Sequence, residues 1–231
     1  MILVTGDIHG PTDIAKLSAK SNTIEKQMTK DDFLIICGDF GMVWDNSEED
    51  MWWRKWLDKK PYTTLFIDGN HENFDLLYKF ETVDFCGGKA HRISESIYHL
   101  MRGEMFTLQG KKFFAMGGAE SHDKEYRTEG ESWWRQELPS KEEYSHALDT
   151  LKRNDFRTDF VLTHCAPSCY QSRIAEKIGL PYEYPANELT DFLEDLLHLT
   201  APEKWFCGHY HTDLTLTDDF EVLFERIIRI V

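Results

Sequence analysis

Asp7 and His9 stand two residues apart just beyond a short apolar run, Met1-Ile2-Leu3-Val4, with Gly6 before the acid and Gly10 after the histidine. One carboxylate oxygen and one imidazole nitrogen make a mixed donor pair that suits Mn, Fe or Zn. On an extended strand, side chains at i and i+2 share a face, so both can point at one ion. An isolated Asp-x-His is weak, but the arrangement recurs. Phe33 to Cys37 runs into Gly38-Asp39, and Leu65 to Ile67 runs through Asp68 into Gly69-Asn70-His71-Glu72. Phe160 to Leu162 leads to Thr163-His164, and Trp205 to Cys207 leads to Gly208-His209-Tyr210-His211. Five apolar runs thus hand over to an Asp, Asn or His, four of them with a Gly just before.

Positioning these residues takes a sheet. A parallel sheet sets the C-terminal ends of its strands along one edge, where ligands bind in such folds. Glycine there lets the backbone turn sharply. The candidate metal ligands are Asp7, His9, Asp39, Asn70, His164, His209 and His211. Seven exceed what one catalytic ion with an open position takes, about three from the protein. They suit two ions about 3.5–4 Å apart that share a bridging group. His71 lies beside the set. His91, His99, His122, His146 and His198 lack the strand-end context and read as surface or core fillers.

The elements around these residues alternate. A modest helix is expected from about residue 13 to 24, and a helix capped by Ser47 carries Trp52, Trp53 and Trp56 as a packing stripe. Another helix is expected from about 73 to 80. Residues 90 to 117 hold four short β-branched and aromatic stretches that suggest successive antiparallel strands. The polar stretch from Gly117 to Pro139 is long enough to suspect function. Ser140-Lys141-Glu142-Glu143 fits a capping box, helices follow near 168–178 and 187–199, and strands close the chain near 213–217 and 220–231. The predicted fold class is α/β with two packed β-sheets, in a single domain spanning 1–231.

Composition limits the partners. Apolar residues make up 41% and charged residues 29%, as in a folded globular chain rather than a disordered one. The formal charge of −15 is a poor surface for long nucleic acid, though bound cations can reverse the local field for a small phosphate ester. No apolar run is long enough to span a membrane, and the N-terminus does not resemble a signal peptide, so a cytoplasmic location is expected. Five cysteines without Cys-x2-Cys spacing argue against a structural zinc site or a disulfide framework. Cys37 and Cys207 read as buried thiols.

Gly6-Asp7-Ile8-His9-Gly10, Gly38-Asp39, Gly69-Asn70-His71-Glu72, His164 and Gly208-His209-Tyr210-His211, in that order, resemble the calcineurin-like metallophosphoesterase superfamily. The resemblance implies a β-sandwich flanked by helices, with a dinuclear centre at the strand ends. It makes Asp7, His9 and His211 ligands of one ion, Asp39 the bridge, and Asn70, His164 and His209 ligands of the second. His71 matches the position whose imidazole assists the leaving group. The implied activity is hydrolysis of phosphate mono- or diesters by a hydroxide bridging two ions (Mn, Fe, Zn or Ni). Nucleotide-directed phosphodiesterase and dinucleoside polyphosphate hydrolase are alternatives within the class, and a non-catalytic interaction module is one outside it. None of these readings sets the oligomeric state.

One departure stands out. Many members continue the second motif as Gly-Asp-x-x-Asp-Arg, whereas this chain reads Gly38-Asp39-Phe40-Gly41-Met42-Val43-Trp44. The missing arginine lowers a protein phosphatase reading and weakens a diadenosine-tetraphosphate one. Arg127, in the stretch after Gly117, is the candidate to supply positive charge to substrate. Its other role would be to pair with Asp123 or Glu131 and order the loop. Trp133 and Trp134 read as packing that loop onto the core.

Overall fold

The computed structural model describes residues 1–180 and 184–230. The first strands are β1 (Ile2–Thr5), β2 (Phe33–Cys37), β3 (Thr63–Ile67), β4 (Glu81–Phe85), β5 (Gly88–Arg92) and β6 (Ile97–Leu100). Then come β7 (Glu104–Leu108), β8 (Lys111–Met116), β9 (Phe160–Thr163), β10 (Lys204–Cys207), β11 (Leu214–Thr217), β12 (Phe220–Val222) and β13 (Ile228–Arg229). They form two mixed sheets, in the orders β13-β1-β2-β3-β6-β5-β4 and β11-β12-β10-β9-β8-β7. The run β1-β2-β3-β6 is parallel, as is β12-β10-β9-β8. Antiparallel strands complete both edges. The helices are α1 (Glu48–Asp58), α2 (Phe74–Leu77), α3 (Lys141–Arg153), α4 (Ser168–Ile178) and α5 (Glu188–Leu199).

Strand alternation explains why the central runs are apolar without a break. Ile2, Val4, Ile35 and Leu65 of the first sheet meet Phe113, Ala115, Phe160 and Phe206 of the second in one buried layer. The intervening Leu3, Leu34, Ile36 and Phe66 face the other way and pack with Ile14, Leu17, Leu57 and Phe74. Phe114, Val161 and Trp205 do the same for the second sheet, against Tyr144, Ala147, Ile174 and Leu193 of the helices. The predicted fold class, two packed sheets flanked by helices, is the one observed. No helix among the described residues is long and apolar enough to cross a membrane. The three buried thiols include Cys37 and Cys207.

Several local expectations change. The helix expected over 13–24 is two 3-10 turns, Ile14–Leu17 and Thr23–Gln27. Lys16 turns inward to the carbonyls of Gly6 and Asp7, and the Ser18 hydroxyl takes the N–H of Ser21, bonds that compete with a regular helix. The helix expected to reach Phe80 stops at Leu77, and the polar edge strand β4 follows. The stretch 90–117 is not one antiparallel series. β6 runs parallel to β3 in the first sheet, while β7 opens the second. The chain changes sheets at Met101-Arg102-Gly103, where Gly103 has φ +74°. The strand expected over 220–231 is broken because the Asp213 carboxylate takes the N–H groups of Phe224 and Arg226. Of the tryptophan stripe, Trp53 and Trp56 pack on the core while Trp52 is 56% exposed. The capping box at Ser140 and Glu143 forms as expected.

Candidate metal centre

The C-terminal ends of β1, β2, β3, β9 and β10 lie together, and their loops bring the candidate ligands into one place. Asp7, His9, Asp39 and His211 each offer a donor atom, and these four atoms lie within 4.8 Å of one another. His9 Nε2 is 3.2 Å from Asp39 Oδ2, and His211 Nε2 is 3.5 Å from Asp7 Oδ2. On the other side of Asp39, His164 Nε2 lies 3.3 Å from Asp39 Oδ2 and 3.3 Å from Asn70 Oδ1. Asp39 therefore stands between two sets of donors. His209 is next to the second set, its ring centroid 5.0 Å from that of His164. His71 donates its backbone N–H to Asp39 Oδ1 at 2.8 Å, and its ring centroid is 5.5 Å from that of His9.

Backbone shape does this work, rather than the strand alternation expected for Asp7 and His9. Asp7 lies beyond the end of β1, and His9 has φ +47°. Asp39, His209 and His211 also have positive φ, at 50°, 71° and 46°. A non-glycine residue in this region carries strain that its surroundings must hold in place, and such residues concentrate at functional sites. Gly69 and Gly208 are required by close approach. A Cβ on Gly69 would strike the Asp39 carboxylate, and one on Gly208 would strike that of Asp7.

The hydrogen bonds fix which atoms face inward. His9 Nδ1 donates to Asp13 Oδ2 at 2.8 Å, and His164 Nδ1 donates to the Cys37 carbonyl at 2.7 Å. Both imidazoles therefore turn Nε2 inward toward Asp39, the orientation that metal-ligating histidines take. Asn70 Nδ2 donates to Ser121 Oγ at 3.2 Å, which turns Asn70 Oδ1 toward His164. His9 Nε2 is buried without a hydrogen bond. The buried carboxylates of Asp7 and Asp39 call for positive charge, supplied by protonated imidazoles or by bound cations, and the residues present fit bound metal.

The charges agree. Burial opposes protonation of His164, yet Asp39 and then Asp7 push it up to about 10. Burial likewise opposes a charged His9, which Asp39 pushes up to about 9. Burial raises the Asp7 carboxyl, while His164 and His9 hold that of Asp39 well below the ordinary carboxylate range against its burial. The carboxylates draw positive charge into the site. Burial, with His164 adding to it, holds His209 well below its ordinary value and so neutral.

A cavity of about 250 Å³ opens over Asp39, Asn70, His209 and His211, and Arg127 lines it. Arg127 Nη1 lies 3.3 Å from His71 Nδ1, and its Nε pairs with Asp123 at 2.8 Å. Of the two roles open to it from sequence, the pairing with Asp123 is the one observed. Burial, with Arg127 adding to it, lowers His71. Because Arg127 donates to Nδ1, the imidazole proton sits on Nε2. His122, read as a filler, also lines this cavity. Trp134 is buried and packs edge-on against Trp44. The segment after Asp39 buries Phe40, Met42 and Val43, and Glu72 accepts the N–H of Phe40 at 2.7 Å. Sequence reasoning passed over Asp13, Lys16, Glu72 and Ser121, which hold the candidate ligands or their loops. Asp13 carried a signal as an acid four residues after His9, and Glu72 as part of the Gly69-Asn70-His71-Glu72 motif.

Residues 1–213 match the family model described as calcineurin-like phosphoesterase. The chain belongs to that family, a class of metal-binding phosphoesterases. The crystal structure of calcineurin-like phosphoesterase YfkN from Bacillus subtilis is similar to it, at 15% identity and a TM-score of 0.43, over 94% of this chain and 73% of that one. No curated protein matches the chain.

Proposed function

We propose that this chain is a dinuclear metal-dependent phosphoesterase that hydrolyses phosphate mono- or diesters. The observation that carries the reading is the gathering of Asp7, His9, Asp39 and His211 donor atoms around a buried, unpartnered His9 Nε2. In it, Asp7, His9 and His211 would hold one ion, Asn70, His164 and His209 the other, and Asp39 would serve both. Bound there, two cations of Mn, Fe, Zn or Ni would supply a nucleophile from water near neutral pH and offset charge at phosphorus. Asp13 and the Cys37 carbonyl keep Nε2 of His9 and His164 aimed inward.

Arg127 holds a phosphoryl oxygen through its guanidinium, whose Nη1 contacts His71 and the Ser132 carbonyl and whose Nε pairs with Asp123. The same guanidinium keeps the His71 proton on Nε2, where it can be donated to the departing oxygen. Beside His71 and His9 lies a second cavity of about 320 Å³, lined by Trp44, Asp45, Ser47 and Glu49 and by no lysine or arginine. Its acidic lining favours an uncharged leaving group over the polyanionic one of a dinucleoside polyphosphate. The reading includes one domain over 1–231, a cytoplasmic location and a small phosphate ester as the partner. Purified protein with Mn should hydrolyse a nitrophenyl phosphate mono- or diester, and Asp39→Ala should lower turnover by at least about 10²-fold. Metal-dependent turnover that survived Asp39→Ala would overturn the bridge.

A further inference from the structure

Asp68 immediately precedes Gly69-Asn70, but its side chain lines a separate cavity of about 420 Å³ with Tyr78, His91, Met101 and Glu142. Asp68 is fully buried and carries charge, because Arg102 Nε donates to its Oδ2 at 2.8 Å and His99 Nε2 to its Oδ1 at 3.0 Å. With its proton on Nε2, His99 presents Nδ1 as an acceptor. His91 Nδ1, 3.0 Å away, must donate to it. This leaves His91 Nε2 as a lone pair. His91 is 5% exposed and sits on the cavity wall, and no described residue donates to that atom. The atom is not sealed from solvent, so what donates to it is water in the cavity or an occupant that displaces that water.

Carboxylates outnumber cationic side chains in the cavity lining. Glu104, Glu142 and Glu143 contribute three carboxylates; Glu104 is paired with His146 at 2.9 Å, and Glu143 accepts the Ser140 N–H at 2.7 Å. The Arg102 guanidinium is spent on Asp68 and the Gln136 carbonyl. Its Nη1 makes no hydrogen bond but is sealed from solvent, 3.6 Å from Glu143 Oε2. The Tyr78 ring and Met101 supply apolar wall. A bare metal ion does not suit the cavity. Among the described residues, no group of three His, Cys, Asp or Glu donor atoms in this lining lies close enough together to hold an ion.

We propose that this cavity binds a small organic ammonium ion, an alkyl diamine or polyamine, with one N–H donating to His91 Nε2 and the charge facing Glu142 and Glu143. Its volume is in the range of small-molecule sites, an alkyl chain suits the apolar wall, and the Tyr78 face attracts a cation. The hydrogen-bonded line His91–His99–Asp68 ends two residues before Asn70, which gives the occupant a route to the metal-ligand loop. Binding itself does not depend on the phosphoesterase reading.

Calorimetric titration of the full chain with putrescine and spermidine at near-physiological salt tests it. One site per chain is expected, with a Kd between about 10 μM and 1 mM. His91→Phe, which keeps the ring against His99 and removes the lone pair, should weaken binding at least about tenfold. Glu142→Gln, at an exposed helix position, should weaken it about threefold. The neutral isostere 1,4-butanediol should not bind. No binding heat, equal binding of the diol, or multi-site association abolished by added salt would each overturn the proposal. So would full affinity in a folded His91→Phe. Should that variant misfold, the His91 Nε2 nitrogen shift in the unaltered chain decides, since it must move on titration with putrescine.

Discussion

Two histidine-rich regions of the molecule meet at the segment Asp68-Gly69-Asn70, and they handle their charges in opposite ways. Around Asp68, each carboxylate oxygen has its own donor, one from Arg102 and one from His99. Around Asp39, the neighbouring imidazoles turn Nε2 inward, and His9 Nε2 hydrogen-bonds nothing. The same residue types are internally satisfied in one place and short of a cation in the other. The difference comes from the second partner of each histidine. Asp13 and a backbone carbonyl take the outer protons of His9 and His164, whereas Asp68 takes the proton of His99 on the inner side. A cluster of acids and histidines is therefore marked as a metal site by where its protons go.

The largest effect should come from breaking the satisfied cluster. Asp68→Ala leaves Arg102 buried and uncompensated, and should cost about 3–5 kcal/mol in urea unfolding. Burial opposes the Asp68 charge, yet Arg102 and His99 hold its carboxyl well below the ordinary range. Its contribution is accordingly complete above about pH 4 and lost only as the pH falls further, through the folded-state value. A loss below about 1 kcal/mol would mean the ion pair adds nothing beyond packing. Next in size is His71→Ala, which removes a proton donor from the unsatisfied site without removing a donor to metal. Turnover of a nitrophenyl ester should fall about 10²-fold, with metal content by elemental analysis unchanged. A metal-free variant would place His71 in the ligand set and redraw the division of roles.

The comparison also explains what was legible in the sequence. The apolar runs that become β1, β2, β3, β9 and β10 are buried on both faces, so they read as unbroken, and each ends at a polar residue that the fold brings to one edge. That regularity revealed Asp7, Asp39, Asn70, His164 and His209 as candidates. It did not reveal how they converge, because His9, Asp39, His209 and His211 depend on left-handed backbone that no alternation pattern encodes. Nor did it reveal Lys16, whose buried ammonium holds the carbonyls of Gly6 and Asp7, since a lysine in an amphipathic stretch reads as surface. The chain's change of sheet after β6 was hidden for a related reason. The strands on either side of Arg102 look alike, and only the pairing of β6 with β3 separates them.

The smallest effect isolates the proton logic itself. Asp13 touches no substrate. Its Oδ2 takes the Nδ1 proton of His9 at 2.8 Å, which keeps Nε2 turned toward Asp39. Asp13→Ala frees the ring to exchange tautomers and to rotate, so metal affinity should drop about tenfold. Turnover at saturating Mn should be nearly restored, because every donor to metal is still present. Asp13→Asn separates orientation from charge, since the amide oxygen can still accept from Nδ1 but carries no negative charge. If Asn behaves like Asp in a titration with Mn, orientation alone is what Asp13 provides. If Asn behaves like Ala, the carboxylate charge matters, and it acts by raising the basicity of His9.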